Sequence, residues 1–459
     1  MQLAEQVHFI GIGGSGMNAL ARVLIDMGIK VTGSDLVQKE LTEELAQRGA
    51  TVYIGHQKEN VKGAGLIVYS SDIPKDNVEL QAAYENQIPM IHRSDLLAKL
   101  LNERKGIAIA GSHGKTTTTS MVSFILERAG LDPTFIIGGE SVDLGCNARF
   151  GQGEYVVAEA DESDQTFLKY FPYIGVVTNI EPDHLENYDG DFAKLKAAYM
   201  QFIKQIKPNG KAVLCADDPD LYEMLPALDG RMITYGIENP QAEYRAVEVE
   251  VGNRKASFQV EHKGERLGKI SLSIPGRHNI YNALAAIIVC METGISFEAI
   301  AREIAQFSGT KRRFQVIGEV RDVLIVDDYA VHPTEIQATL NAAKATGRRI
   351  IAVFQPHRIS RAYFLLEQFA HSFREANEVL ITEIYSPRGE KKIAGINAET
   401  LAERIRQESN NNIRYYPTHE EIFHYLQDNV KEGDLVITLG AGDIWKVAQR
   451  LKQYLDQIA

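Results

Sequence analysis

Cysteine is scarce: Cys146, Cys215 and Cys290 are the only 3 in 459 residues, odd in number and far apart. That spacing argues against a disulfide framework or a cysteine metal site and fits a reducing cytoplasm. Apolar runs are short, and none reaches the length that a membrane-spanning helix needs. Basic charge is in deficit, with 49 Lys and Arg against 61 Asp and Glu and a formal charge of -12. With no long basic run either, a nucleic-acid surface is not expected. A local basic pocket can still hold an anion in an acidic protein. The chain enters a strand-like run soon after Met1, with no signal-peptide pattern before it, so a cytoplasmic protein is expected. There is no tandem repeat, no low-complexity segment and no convincing Ser–His–Asp or Cys–His set. The lone Trp445 reads as core packing.

What is present is a succession of short apolar runs, each closed by a polar or glycine-rich turn. The run Gly106–Ala110 reads as a buried strand. Gly111-Ser112-His113-Gly114-Lys115-Thr116-Thr117 follows, and an amphipathic helix is expected from Ser120 to Ala129. Strand, glycine turn and helix start suit a phosphate cradle, in which backbone N–H groups face an anion and Lys115 adds a point charge. Thr116 stands where a hydroxyl would hold Mg2+. The pattern is imperfect, since Ile109 occupies the place of the usual first glycine.

A second loop lies near the N-terminus. The strand Val7–Ile10 leads into Gly11-Ile12-Gly13-Gly14-Ser15-Gly16, and a helix is expected from about Asn18 to Met27. This is a relative of the dinucleotide fingerprint. Asp35, at the end of the next strand, could take a ribose hydroxyl. Ser70 and Ser71 close a further strand, Leu66–Tyr69. Read alone, this half supports either a nucleotide-diphosphate seat or a nicotinamide-dependent oxidoreductase, but the latter leaves the Lys115 loop unexplained.

Two more runs end in polar clusters. Tyr155–Ala158 runs into Glu159-Ala160-Asp161-Glu162-Ser163-Asp164, and Ile174–Ile180 into Glu181-Pro182-Asp183-His184. Ligands of parallel sheets sit beyond the carboxyl ends of strands, so these residues belong on the edge that carries Lys115. Read alone, His184 is better explained as a capping or hydrogen-bonding residue than as a ligand, and the acidic run equally well as a solvated loop. Residues 240–272 alternate polar and apolar, as antiparallel strands do. His278 and Asn282, entering a small-residue helix, could face a nucleotide. A third α/β pattern begins near Phe314, with polar clusters after its strands at 327–335, 355–361 and 440–443.

Taken together, HFIGIGGSGM, GSHGKTTTT, EADESD, TNIEPDHLENY, PGRHNIYNALAA, DDYAVHPTE and FQPHRISR resemble the Mur ligases, in that family's order and over nearly the whole chain. The motif set is most similar to members that add L-alanine to UDP-N-acetylmuramate. The resemblance implies an α/β protein of three domains. A Rossmann-like domain over 1–104 would bind the UDP-sugar through Gly11, Gly13, Gly14, Ser15, Gly16, Asp35, Ser70 and Ser71. A central P-loop ATPase over 105–312, with a mostly parallel sheet, would bind ATP through Gly111–Thr117, His278 and Asn282. A Rossmann-like domain over 313–459 would bind the amino acid through Tyr329, Arg358 and Arg361. Lys115, Glu159 and His184 are the implied catalytic residues, with Thr116, Glu159 and His184 holding Mg2+, two ions in all. The substrates implied are small molecules, with no nucleic acid and no membrane. Ligation through an acyl phosphate asks for metals, Lys115 and aimed donors, and for closure of the domains to exclude water. Val331 departs from the family, whose alanine-adding members commonly carry histidine there. A recycling ligase that reattaches a murein peptide to the same sugar is the nearest alternative. A nucleotide-gated regulatory protein is the non-enzymatic one, and it leaves the third domain's arginines without a task.

Overall fold

The computed structural model describes residues 4–228, 230–252, 254–386 and 390–458. Their strands form three sheets. The first holds β1 (Gln6–Ile10), β2 (Lys30–Asp35), β3 (Thr51–Ile54), β4 (Leu66–Tyr69) and β5 (Met90–His92), in the order β3-β2-β1-β4-β5. Its printed pairings are all parallel. Strand order therefore reverses between β1 and β4, which opens a crevice at their carboxyl ends. Gly11 and Ser70 each directly follow those two strands.

The second sheet begins with β6 (Lys105–Ala110), β7 (Thr134–Ile136), β8 (Ala148–Arg149), β9 (Tyr155–Glu159) and β10 (Ile174–Val177). It continues through β11 (Lys211–Cys215), β12 (Met232–Gly236), β13 (Tyr244–Gly252), β14 (Lys255–His262) and β15 (Glu265–Leu272). The order β15-β14-β13-β12-β11-β10-β6-β9-β7-β8 puts β6 between β10 and β9, parallel to both. The turns after these three strands thus share one edge. Ile107, Ala108, Ile109 and Ala110 are wholly buried, as expected of a parallel strand covered on both faces. The helix that follows is Lys115–Arg128, longer at its start than the expected 120–129. Threonine tolerates this first turn because its hydroxyl can bond back to the preceding turn, as Thr119 does to the Lys115 carbonyl at 2.8 Å. The N-terminal helix likewise starts early, at Ser15.

The third sheet holds β16 (Gln315–Val320), β17 (Val323–Asp328), β18 (Arg349–Phe354), β19 (Glu378–Ile381), β20 (Ile413–Tyr415) and β21 (Asp434–Leu439). Its order is β16-β17-β21-β18-β19-β20, and β16 alone pairs antiparallel. Side chains alternate along its strands. Leu324, Val326, Ala352 and Ile437 enter one apolar cluster, and Val323, Ile325, Val353 and Val436 the other. A sheet with a core on each face is the doubly wound arrangement.

Backbone contacts divide the chain into two compact units. The first comprises Met1–Val247, Gln259–Ile270 and Tyr281–Phe307; the second comprises Glu248–Phe258, Ser271–Ile280 and Ser308–Ala459. The first sheet and most of the second share the first unit. Links such as Lys169 Nζ to Asp95 at 2.6 Å, and Asn102 Nδ2 to the Lys169 carbonyl at 3.0 Å, tie them together.

Candidate active site

The loop after β6 is shaped by two glycines and by the end of β10. Gly111 and Gly114 have φ of +127° and +83°, a region where L side chains are strained. Thr178 and Asn179, just past β10, hold the loop between them. The Thr178 hydroxyl donates to the His113 carbonyl at 2.6 Å, and the Asn179 side chain accepts from His113 N at 2.8 Å. Ser112 N donates to the Asn179 carbonyl at 3.0 Å. Gly114 then caps the helix with no side chain, so the first-turn N–H groups, which a helix cannot itself use, have no side-chain cap. Neither Thr178 nor Asn179 is conspicuous in sequence; their position just past an apolar strand beside β6 was the available signal.

Lys115 lies over this loop. Its ammonium donates to the Gly111 and Ser112 carbonyls at 2.5 and 3.3 Å, and to both carboxylate oxygens of Glu162 at 3.1 and 2.9 Å. Burial works against the lysine's charge, but Glu162, Asp161 and Glu159 outweigh it and raise its pKa, so Lys115 stays an ammonium. Burial likewise works against ionised Asp161, yet Lys115 and the Ser163 N–H lower its pKa. Thr116 is half-buried and Thr117 buried in the first helical turn. Deeper in that helix, the Thr118 hydroxyl donates to Asn282 Oδ1 at 3.3 Å. A Cβ on Gly114 would lie 2.3 Å from the same Asn282 oxygen, so Asn282 sits directly against the loop.

Glu159 ends β9 and accepts from Gly138 N at 2.5 Å. His184, past β10, has φ of +55°, and its ring lies 3.6 Å from Asp183 and 3.8 Å from Glu186. The sheet order thus brings the turns bearing Lys115, Glu159 and His184 to one edge. His278 belongs to the second compact unit. Loss of hydration, with Arg313 adding to it, lowers its pKa to about 4, so it is a neutral imidazole at pH 7. The donor set at the edge of the second sheet suits a hard divalent cation: a Thr116 hydroxyl, the Glu159 carboxylate, and further carboxylates at Asp161, Glu162 and Asp183.

In the first sheet, Gly11 N and Ile12 N donate to the Ser34 carbonyl at 2.8 and 3.0 Å. Asp35 does not simply stand open at its strand end. It accepts from Gly13 N at 2.9 Å and Val37 N at 3.3 Å, bracing the loop from inside. A Cβ on Gly13 would come within 2.8 Å of that carboxylate. Gly14 and Ser15 open the helix Ser15–Asp26, again without a side-chain cap. Ser70 and Ser71 lie across the crevice, with the Ser71 hydroxyl 3.0 Å from His92 Nε2. Arg93 was missed in sequence: a Cβ on Gly16 would lie 3.6 Å from its guanidinium, which also donates to Asp164 at 3.4 Å.

In the second unit, Tyr329 follows β17 between two guanidinium groups, Arg312 and Arg313, at 5.1 and 5.2 Å from its ring centre. Arg358 follows β18 with φ of +69°, and Arg361, on the next helical turn, is buried with Nη1 3.3 Å from His357 Nδ1. Val331 is buried, its N–H donating to Glu335 at 3.0 Å. Asp328, wholly enclosed, has its pKa raised to about 6 by burial, with Arg313 opposing.

Known proteins share this architecture and these motifs. The family model described as Mur ligase family, catalytic domain, matches residues 6–105. The Mur ligase middle domain matches 109–290, and the Mur ligase, glutamate ligase domain, 312–442. A UDP-N-acetylmuramate–L-alanine ligase of Pelotomaculum thermopropionicum is 46% identical over 458 residues, covering 99% of each chain. Its counterpart in Geotalea uraniireducens is 48% identical over 452 residues, covering 98% of each. Among solved structures, a UDP-N-acetylmuramate–alanine ligase of Thermotoga maritima superposes with a TM-score of 0.84 at 27% identity, covering 99% of this chain and 100% of that one. A murein peptide ligase of Psychrobacter arcticus gives 0.71 at 25% identity, covering 99% of both. With three successive domain models matched and near-complete coverage at such identity, the chain belongs to the Mur ligase family.

Proposed function

We propose that this protein joins L-alanine to the carboxylate of UDP-N-acetylmuramate at the expense of ATP, the first peptide step of peptidoglycan precursor synthesis. The observation that carries the reading is identity of 44–48% over almost the full chain with ligases of that name. The murein peptide ligase is a more distant likeness, which favours free alanine over a preformed peptide. Among the described residues, no helix is long and apolar enough to cross a membrane, and we place the reaction in the cytoplasm.

In this reading the boundaries of the three domains are 1–104, 105–312 and 313–459. Gly11, Gly13, Gly14, Ser15 and Gly16 receive the UDP-sugar, with Ser70 and Ser71 across the crevice and Asp35 keeping the loop in shape. The loop 111–117 and Asn282 seat ATP, and His278 is assigned to the same nucleotide. The first-turn N–H groups and Lys115 hold its phosphates, and they stabilise negative charge as the sugar carboxylate becomes an acyl phosphate. Thr116, Glu159 and His184 would hold Mg2+, two ions in all, which when bound neutralises phosphate charge. Tyr329, Arg358 and Arg361 orient the amino acid, the arginines through its carboxylate or a nearby phosphate. The neutral amine then displaces phosphate from the acyl carbon through a tetrahedral intermediate.

Phosphate release from ATP tests the whole. It is expected only when UDP-N-acetylmuramate and L-alanine are both present. Turnover with alanine omitted, or a strong preference for a murein tripeptide, contradicts the assignment.

A further inference from the structure

The ammonium that is to meet phosphates is already fully engaged. Lys115 has three N–H donors and four acceptors around it, two of them the oxygens of Glu162. The Glu162 side chain is 3% exposed and that of Lys115 16%, so water screens this pair little. Glu162 is also fixed in place: its own carbonyl accepts from the Tyr188 hydroxyl at 2.6 Å, and Gln165 N donates to the same carbonyl at 3.1 Å. The two loop carbonyls lie beneath the lysine and can be kept when a phosphate arrives. The carboxylate cannot serve equally well, because a phosphate and Glu162 would then compete for one ammonium as like charges.

We propose that Glu162 is a positioning residue that holds Lys115 in the nucleotide-free protein, and that nucleotide must displace it. The proposal rests on Lys115 being a phosphate contact. Its consequence is a deliberate weakening of nucleotide affinity. Each binding event gives up a buried, charge-assisted contact, and each departure of ADP is assisted by its return. Glu162 thus favours product release while keeping the lysine charged and extended between turnovers.

The test is ADP binding by titration calorimetry in EDTA, so that no divalent cation contributes. Four proteins are compared: wild type, Glu162→Gln, Glu162→Asp and the double variant Lys115→Met/Glu162→Gln. Glutamine keeps the shape and removes the charge. It is expected to tighten ADP roughly ten- to a hundredfold, the worth of one hydrogen bond to a charged group. Aspartate keeps the charge with a shorter reach and falls between. In steady state, kcat and KM for ATP fall together in Glu162→Gln as ADP leaves more slowly, a joint decrease that mere loss of structure does not produce. The double variant removes both buried charges together and must lose the gain, since the gain acts through Lys115. If the double variant keeps the tighter binding, the effect is simple charge repulsion and the proposal is wrong. Unchanged or weaker ADP binding in folded Glu162→Gln also overturns it. Should Glu162→Gln not fold, Glu162→Asp with wild-type affinity does the same. ADP binding that is equal in all four proteins removes the reading of Lys115 as a phosphate contact along with the proposal.

Discussion

Alanine at Gly111 and alanine at Gly114 should fail differently, although both glycines stand in one loop at positive φ. At Gly111 the new Cβ would lie 2.1 Å from Thr178 Oγ1, 2.9 Å from Thr178 N and 3.1 Å from Asn179 N. Two of those atoms are backbone, so strands β6 and β10 must part. A strained non-glycine backbone costs about 1–3 kcal/mol. Overpacking a rigid wall adds about 1–3 kcal/mol more. We therefore expect Gly111→Ala to lose about 4 kcal/mol of local stability. At Gly114 the neighbour is the tip of a side chain, Asn282 Oδ1, at 2.3 Å. A left-handed alanine costs roughly 1–2 kcal/mol, and displacing Asn282 from Thr118 about 0.5–1.5 kcal/mol. The sum is about 2 kcal/mol, and it falls on the nucleotide seat; at 1.4 kcal/mol per tenfold, ADP should bind about 30-fold more weakly. The assay is hydrogen exchange of peptides spanning Lys105–Arg128 and Ile174–Val177, with ADP titration alongside. Equal protection of β6 and β10 in Gly111→Ala and wild type, or greater damage from Gly114→Ala, would refute the geometry.

The first sheet carries a pH prediction. Burial alone would raise the pKa of Glu79, but the nearby His8 ring, 3.6 Å away, and hydrogen bonds from Ser34 and Asn60 win and lower it from 4.5 to about 2. A depressed carboxyl stabilises the fold above its unfolded pKa. Here about 3 kcal/mol is present above pH ~4.5 and is lost as pH falls toward about 2. Glu79→Gln should lose a similar amount at pH 7 and flatten the acid dependence of exchange in the β1 and β2 peptides; an unchanged acid profile would falsify the network. In the second unit, Val331→His should sharpen the choice of alanine over glycine by about tenfold, within the roughly 10–200-fold that one methyl allows. Rate over Michaelis constant for alanine, glycine and serine decides, and identical ratios place residue 331 outside the selecting pocket.

The loops were legible because glycine and strand ends announce themselves locally. Gly111, Gly114 and Gly11 all take positive φ; Gly111 and Gly11 stand where an apolar run stops, and Gly114 where the helix begins. The strand order could not be read in the same way, but parallel strands alternating with helices leave few options, and three α/β domains follow. What sequence did not reveal is mostly a matter of partners distant along the chain. Glu162 meets Lys115 across 47 residues, and Asp35 turns onto Gly13 across 22. Acids read as a solvated loop and as a ribose ligand have, in the fold, partners of their own: a lysine for Glu162 and a loop N–H for Asp35. Glu79 is the extreme case: in the helix Val78–Glu85 it is fully buried, with Ser34 and Asn60 donating to it. Burial of a charge is a tertiary fact, and no periodicity records it.

The same consideration bears on how an acidic protein holds an anion. Net charge sets the far field, while a buried ammonium is governed by its immediate neighbours. Around Lys115 these are Glu162, Asp161 and Glu159, which outnumber it. An edge so composed is poorly suited to a bare polyphosphate. Every phosphate oxygen that approaches Lys115 must either take the ammonium from Glu162 or arrive with cations of its own. Because the pair is buried, bulk salt cannot supply that screening. If Lys115 is the phosphate contact proposed above, the carboxylates make nucleotide binding conditional on what accompanies the nucleotide, and Glu162 sets how much affinity is withheld until that condition is met. A site built only to bind tightly would have left the lysine unopposed. One that must release ADP in every cycle gains from a carboxylate poised to reclaim it.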